Sequence, residues 1–223
     1  MERLPIPHRP ELTPIFPTPP ELEASTVEMV ARAPYCGLGF RKGRLEPELH
    51  ARMLDSLRRN APHFRPEQGD NPWIGTRDAK TIPAVVHQDH QLNAEISRAL
   101  QPAHEAWSGM SLTESACYGI RVYQRGSYLF NHVDRTETHI ISSTICVDHR
   151  LDEPWPLTLE DIDGQLHQVD MEPGEFLYYE GAKLRHGRPY PLVGDYYAGM
   201  FVHYRPVHLE SVDRPGERRG PGA

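Results

Sequence analysis

A chain of 223 residues, 38% hydrophobic and 25% charged, holds enough apolar material for one domain with a substantial core and too much for a disordered polypeptide. Its formal charge is −7, from 31 acidic and 24 basic residues. That balance argues against nucleic acid as the main partner, because phosphate binding wants a basic surface, although local basic pairs such as Arg58-Arg59 exist. No apolar run is long enough for a membrane span or a signal peptide. The three cysteines, Cys36, Cys117 and Cys146, are odd in number and form no CxxC pair. They speak against a disulfide framework or a cysteine zinc site and fit reduced thiols in a cytoplasmic protein.

Residues 1–24 read as an extended, proline-rich arm, since proline fixes φ and removes a donor. One domain is expected over 25–210, followed by a flexible tail at 211–223. Within it, Leu45, Leu49, Met53, Leu54 and Leu57 fall on one helical stripe, which predicts a helix over 45–60. Glu46 and Glu48 at its start and Arg58 and Arg59 at its end suit the helix dipole. Residues 61–82, rich in Pro, Gly and Asn, read as loop. A second helix is expected over 89–108, with Leu92, Ile96, Leu100 and Trp107 on its apolar side and Pro102 as a point where it would kink or split.

The texture changes at Tyr118. Short β-rich runs follow at 118–123, 127–133, 139–147, 157–159, 166–169, 175–179 and 195–204, separated by Pro and Gly. That rhythm indicates a sandwich or barrel. The expected class is mainly β with N-terminal helices (α+β): helical support over 45–108 buttressing a β core over about 118–206.

Thirteen histidines raise the question of which converge. His132 and Asp134 form an HxD pair in "FNHVDR". Two residues apart on a strand, their side chains share a face. His186 follows in "KLRHGRPY", just after the Pro173-Gly174 turn and the strand that it opens. Two imidazoles and a carboxylate can cap one face of an octahedron and leave three positions open, the donor set of non-haem Fe(II) oxygenases; the same donors also suit manganese or zinc. His87 and Asp89 in "VVHQDHQ" make a second HxD, but they precede a helix and Asp89 is a good N-cap. That pair reads as a decoy.

Three stretches carry a resemblance: "YQRGSYLFNHVD" (123–134), "MEPGEFLYYEGAKLRHGRPYPLVG" (171–194) and "YYAGMFVHYRP" (196–206). Over about 118–206 the sequence resembles the Fe(II)/2-oxoglutarate dioxygenases, most closely their prolyl 4-hydroxylase-like branch. The resemblance implies a double-stranded β-helix, a jelly-roll of two facing sheets. It implies His132, Asp134 and His186 as metal ligands and catalytic residues. It further implies Fe(II), O2 and 2-oxoglutarate as cosubstrate, and Tyr123 at the position of the tyrosine that meets the distal carboxylate of 2-oxoglutarate.

One departure matters. Relatives place Lys or Arg about ten residues after the distal histidine; here that position is Tyr196, expected by its place as a cosubstrate contact, beside Tyr197, and neither carries positive charge at neutral pH. Arg188, two residues past His186, is the leading replacement, because a guanidinium pairs a carboxylate bidentately. Arg121, on the same strand face as Tyr123, is second, and Thr144 could add a hydroxyl. Arg135, His139 and Arg150 are candidate substrate contacts, with Arg150 in a loop beside Asp148 and His149. Trp73 and Trp155 read as loop lids, and Tyr178-Tyr179 as barrel-interior residues. The substrate expected is a small molecule or a peptidyl residue, with peptidyl proline suggested by the prolyl-hydroxylase likeness. Two other classes share these residues: a metal-dependent hydrolase or isomerase on a cupin-like barrel, and a non-catalytic binding module.

Overall fold

The structure is a computed structural model that describes residues 36–67, 73–77, 80–135 and 138–207. The expected arm over 1–24 and tail over 211–223 lie outside the described residues. Two antiparallel sheets face each other. The larger has seven strands in the order β1-β10-β7-β12-β5-β4-β2, the smaller five in the order β3-β6-β11-β8-β9. In chain order the strands are β1 (Phe40–Arg44), β2 (Arg65–Pro66), β3 (Ile74–Thr76), β4 (Ala84–His87), β5 (Leu112–Gln124) and β6 (Ser127–His132). They continue with β7 (Ile141–Leu151), β8 (Leu157–Glu160), β9 (Leu166–Val169), β10 (Glu175–Tyr179), β11 (His186–Arg188) and β12 (Gly194–Pro206). The predicted jelly-roll with helical support is the observed architecture.

Helix α1 (Pro47–Arg59) and helix α2 (His90–Ser108) lie on one face of the large sheet. Proline at the first helical position starts α1, where its missing N–H costs nothing. Asp89 caps α2 by accepting from the Leu92 N–H at 3.1 Å and from Ser56 Oγ at 3.0 Å, which ties the two helices together. Gly109 ends α2 in the left-handed conformation, its N–H on the Glu105 carbonyl. Pro102 neither splits nor ends α2, which runs through it to Ser108.

Alternation along the central strands sorts the core into two layers. Ile141, Ile145 and Val147 of β7 and Met200, Val202 and Tyr204 of β12 meet Met53 of α1 and Ile96 of α2. The opposite face carries Ser142, Thr144 and Cys146 on β7 and Tyr197 and His203 on β12. There Cys146 and Tyr197 pack with Trp155, Leu159, Leu177 and Tyr179 between the sheets.

Several expectations need correction. β1, β2, β3 and β11 are short edge or bulged segments that hydrophobic patterning does not reveal, and β4 brings His87 into the large sheet, so His87 does lie on a strand. Asp148, His149 and Arg150 sit on β7 rather than in a loop. Tyr178 points out to His104 and Trp107, while only Tyr179 faces the interior, as neighbours on a strand must. Trp155 is a buried core residue, not a lid. Removing the helix cap tests the decoy reading of Asp89. Asp89→Ala is expected to lower stability by about 1 kcal/mol in chemical denaturation and to leave divalent-metal binding unchanged.

Candidate metal centre

β11 pairs antiparallel with β6, with His186 directly opposite His132, so strand register sets the two imidazoles side by side. Their ring centroids are 4.6 Å apart. Asp134 lies two residues beyond His132, just past the end of β6, where its N–H donates to the Gly181 carbonyl at 2.8 Å. Asp134 Oδ1 is 3.7 Å from His132 Nε2 and 3.7 Å from His186 Nε2. Among the described residues this is the group of three or more His, Cys, Asp or Glu side chains whose donor atoms converge closely enough to hold one metal ion.

The surroundings fix which atoms face inward. His132 Nδ1 bonds the Phe130 carbonyl at 2.7 Å, and His186 Nδ1 bonds the Leu184 carbonyl at 2.8 Å. A carbonyl only accepts, so each Nδ1 carries the proton and each Nε2 presents a lone pair to the centre. Burial, and next the neighbouring His186, push His132 down to about 4; burial pushes His186 down to about 4. Both rings are therefore neutral near pH 7, as ligation requires. Burial raises the Asp134 carboxyl above the ordinary range, while His132, His139 and the Ser142 hydroxyl pull it back. A buried carboxylate beside two neutral imidazoles is a donor set that a divalent cation stabilises. Trp73 stacks on His132 at 5.0 Å and Tyr179 packs against His186 at 4.5 Å, so both imidazoles are held in place by aromatic neighbours.

The candidate carboxylate anchors separate sharply. Arg188 is buried at 3% exposure, sandwiched between the rings of Trp155 and Tyr197 at 4.7 and 4.3 Å. Its guanidinium donates to the Trp155 carbonyl and, at 2.9 Å, to the Tyr197 hydroxyl. No carboxylate among the described residues pairs with it. Tyr123, buried, packs on Trp155 in the same cluster. Arg121 faces the same interior and donates to Tyr123 Oη at 3.3 Å, but Glu67 already holds it bidentately at 2.6 Å. Thr144 is buried on the interior face of β7 between Ser142 and Cys146. Tyr196 faces the helix side instead, donating to Asp148 Oδ2 at 2.7 Å. Its expectation as a cosubstrate contact is thus corrected by strand alternation, which puts Tyr197 inside in its place.

Of the substrate candidates, Arg135 is exposed at the rim next to Asp134. His139 is buried, stacks on His203 at 3.8 Å and bonds Tyr118 Oη at 3.0 Å. Arg150 is exposed and paired with Asp195. It lies eight residues along β7 from Ser142, about 26 Å at strand rise, and that distance removes it from the site. A cleft of about 340 Å³ opens beside Tyr118 and Arg121, with Arg65, Glu67 and Gln88 on its other walls.

Gly181 was not foreseen, yet the site requires its lack of a side chain: a Cβ there would collide with Asp134 Oδ2 and Ser142 Oγ. Gly181→Ala is expected to weaken divalent-metal binding at least about tenfold while circular dichroism reports an intact β fold.

Neither a family model nor a curated protein matches this sequence. Solved structures do. A Pseudomonas putida prolyl-4-hydroxylase superposes with a TM-score of 0.57 at 17% identity, over 82% of this chain and 97% of that one. A Trichoplax adhaerens prolyl hydroxylase in complex with a hypoxia inducible factor peptide fragment gives 0.58 at 10% identity, over 85% and 93%. HygX from Streptomyces hygroscopicus, with nickel, 2-oxoglutarate and hygromycin B bound, gives 0.52 at 13% identity, over 84% and 88%. At these identities the likeness is one of fold: the chain shares the two-sheet β architecture of these solved structures.

Proposed function

We propose that this protein is a non-haem Fe(II)- and 2-oxoglutarate-dependent oxygenase that hydroxylates an unactivated C–H bond, with His132, Asp134 and His186 holding the metal. The observation that carries the reading is the pairing of that triad with Arg188, a buried cation with no counter-ion among the described residues. Leaving a guanidinium buried without an anion costs several kcal/mol, so Arg188 marks the place where an anion binds. The triad would hold the metal with three donors, fewer than such an ion accepts, which would leave positions for a chelating cosubstrate and O2.

When bound, iron and 2-oxoglutarate together supply the oxidising power, with succinate and carbon dioxide as coproducts. The protein's own residues bind, orient and exclude. His132 and His186 would ligate through Nε2, their rings fixed by the carbonyls of Phe130 and Leu184. Arg188, with the Tyr197 hydroxyl on one of its nitrogens, anchors the distal carboxylate, and Tyr123 and Thr144 line its chamber. Trp155 and Tyr197 keep that chamber dry, which strengthens the ion pair formed in it. The substrate side is the rim near Arg135, His139 and the Tyr118 cleft. One structural neighbour is in complex with a peptide fragment and another has hygromycin B bound; both substrate classes, peptidyl and free, suit a cleft with charged and amide walls.

Substitutions in the triad and at the two candidate anchors test the reading. His132→Ala or Asp134→Ala is expected to abolish O2-dependent conversion of 2-oxoglutarate to succinate, followed by mass spectrometry. Succinate formation at near the wild-type rate in either variant would remove the triad from the reaction. Arg188→Gln is expected to weaken 2-oxoglutarate binding roughly 10- to 100-fold, the loss of charge-assisted hydrogen bonds, with Fe(II) affinity unchanged. Equal 2-oxoglutarate affinity in that variant, with Arg121→Gln impaired instead, would move the anchor to Arg121.

A further inference from the structure

Behind Asp134 stands a polar chain that ligation by itself does not need. Ser142 Oγ lies 3.1 Å from Asp134 Oδ2, 2.8 Å from His203 Nδ1 and 3.4 Å from the His139 carbonyl. His203 Nδ1 is itself 3.8 Å from Asp134 Oδ2. Ser142 and His203 are both buried, on adjacent strands β7 and β12 that place residue 142 opposite residue 203. Several neighbours bear on this pair from other elements: the Asp134 carboxylate, the His139 ring stacked on His203, the Tyr118 ring set edge-on to it at 5.5 Å, the Tyr179 hydroxyl beside Ser142, and His186, His132 and Arg121 by charge.

Counting protons settles the direction of these bonds. Ser142 has one hydroxyl proton and can donate only once. A carboxylate engaged through Oδ1 on a cation has no proton to give, so Ser142 donates to Asp134 Oδ2. Ser142 must then accept from His203, which therefore carries its proton on Nδ1. The chain runs one way, from His203 Nδ1–H to Ser142 Oγ–H to Asp134 Oδ2. Gly181 leaves the space into which Oδ2 turns, and its carbonyl fixes the Asp134 backbone from the same side.

A carboxylate can bind a metal through one oxygen or two. Resting on the triad reading above, we infer that Ser142 and His203 are positioning residues that hold Asp134 in the one-oxygen mode, occupying Oδ2 so that it cannot swing onto the metal. A second Asp134 oxygen on the metal would take one of the positions that the cosubstrate and O2 need. Neither residue touches the reacting atoms; both act through Asp134.

Mn(II) serves as the probe, because its binding needs no turnover. Wild-type protein, Ser142→Ala, His203→Leu and His203→Asn are each titrated with Mn(II). The waters on the bound ion are counted from the broadening of its electron paramagnetic resonance lines in isotopically labelled water. Asn offers an N–H where His203 Nδ1 stands; Leu does not. The expected result is one metal-bound water fewer in Ser142→Ala and His203→Leu than in wild type, with a changed Mn(II) affinity, and restoration of both in His203→Asn. The wild-type water count in Ser142→Ala and His203→Leu would overturn the inference, as would a deficit in His203→Asn equal to that in His203→Leu. Ser142→Ala nearly conserves volume, so it supplies the decisive comparison if His203→Leu fails to fold. Failure of wild-type protein to bind Mn(II) at all would instead overturn the triad reading on which the inference rests.

Discussion

Two imidazoles come together because β11 pairs with β6 with His186 opposite His132. Slipping that pairing by one residue would turn His186 to the other face of the small sheet and dissolve the site. The rest of the centre is arranged around this pairing. Carbonyls of the same two segments take the Nδ1 protons. The turn between β10 and β11 supplies both the Gly181 carbonyl that holds Asp134 and the empty space beside it. A buried Lys183–Glu180 ion pair at 3.0 Å stiffens that turn, and Glu180 also accepts the Cys36 N–H. Register, turn and ligand geometry are thus one mechanical unit.

Charge divides the interior into two roles. Arg121 and Arg188 both reach inward from strands, and both approach aromatic rings. Arg121 has its acid in Glu67, so its charge is spent within the protein and it serves as a wall of the cleft. Among the described residues Arg188 has a carbonyl, a phenol and two aromatic faces, and no acid. Such partners orient a guanidinium without neutralising it. Under the proposed function, a site that lacks a basic residue at position 196 would still offer a cation to an anionic cosubstrate, because the charge would come from β11, two residues beyond His186.

Much of this was legible in the sequence, for identifiable reasons. The helices announced themselves through the spacing of Leu45, Leu49 and Met53 and of Leu92, Ile96 and Leu100, and Asp89 through its capping position. The long strands β5, β7 and β12 are rich in apolar residues, but β1, β3 and β11 are three to five residues each and owe their existence to neighbours rather than to pattern. The triad was readable because HxD and a later histidine are chemically distinctive. Its support was not. Ser142 and His203 meet only through a strand pairing between residues 61 apart in sequence, though the parity that puts Tyr197 inside also puts His203 there. Tyr196 misled for the converse reason: position relative to a motif suggested the interior, while alternation from Tyr197 assigns it to the helix side.

Anaerobic titration of the purified apoprotein with Fe(II) and then 2-oxoglutarate tests the central reading most directly, because chelation of the metal by the cosubstrate gives a weak visible charge-transfer band. The expected result is a saturable band that requires both components and is absent in His186→Ala. Binding of Fe(II) without any band on addition of 2-oxoglutarate would contradict it and move the chain to a metal-dependent hydrolase or isomerase on the same barrel.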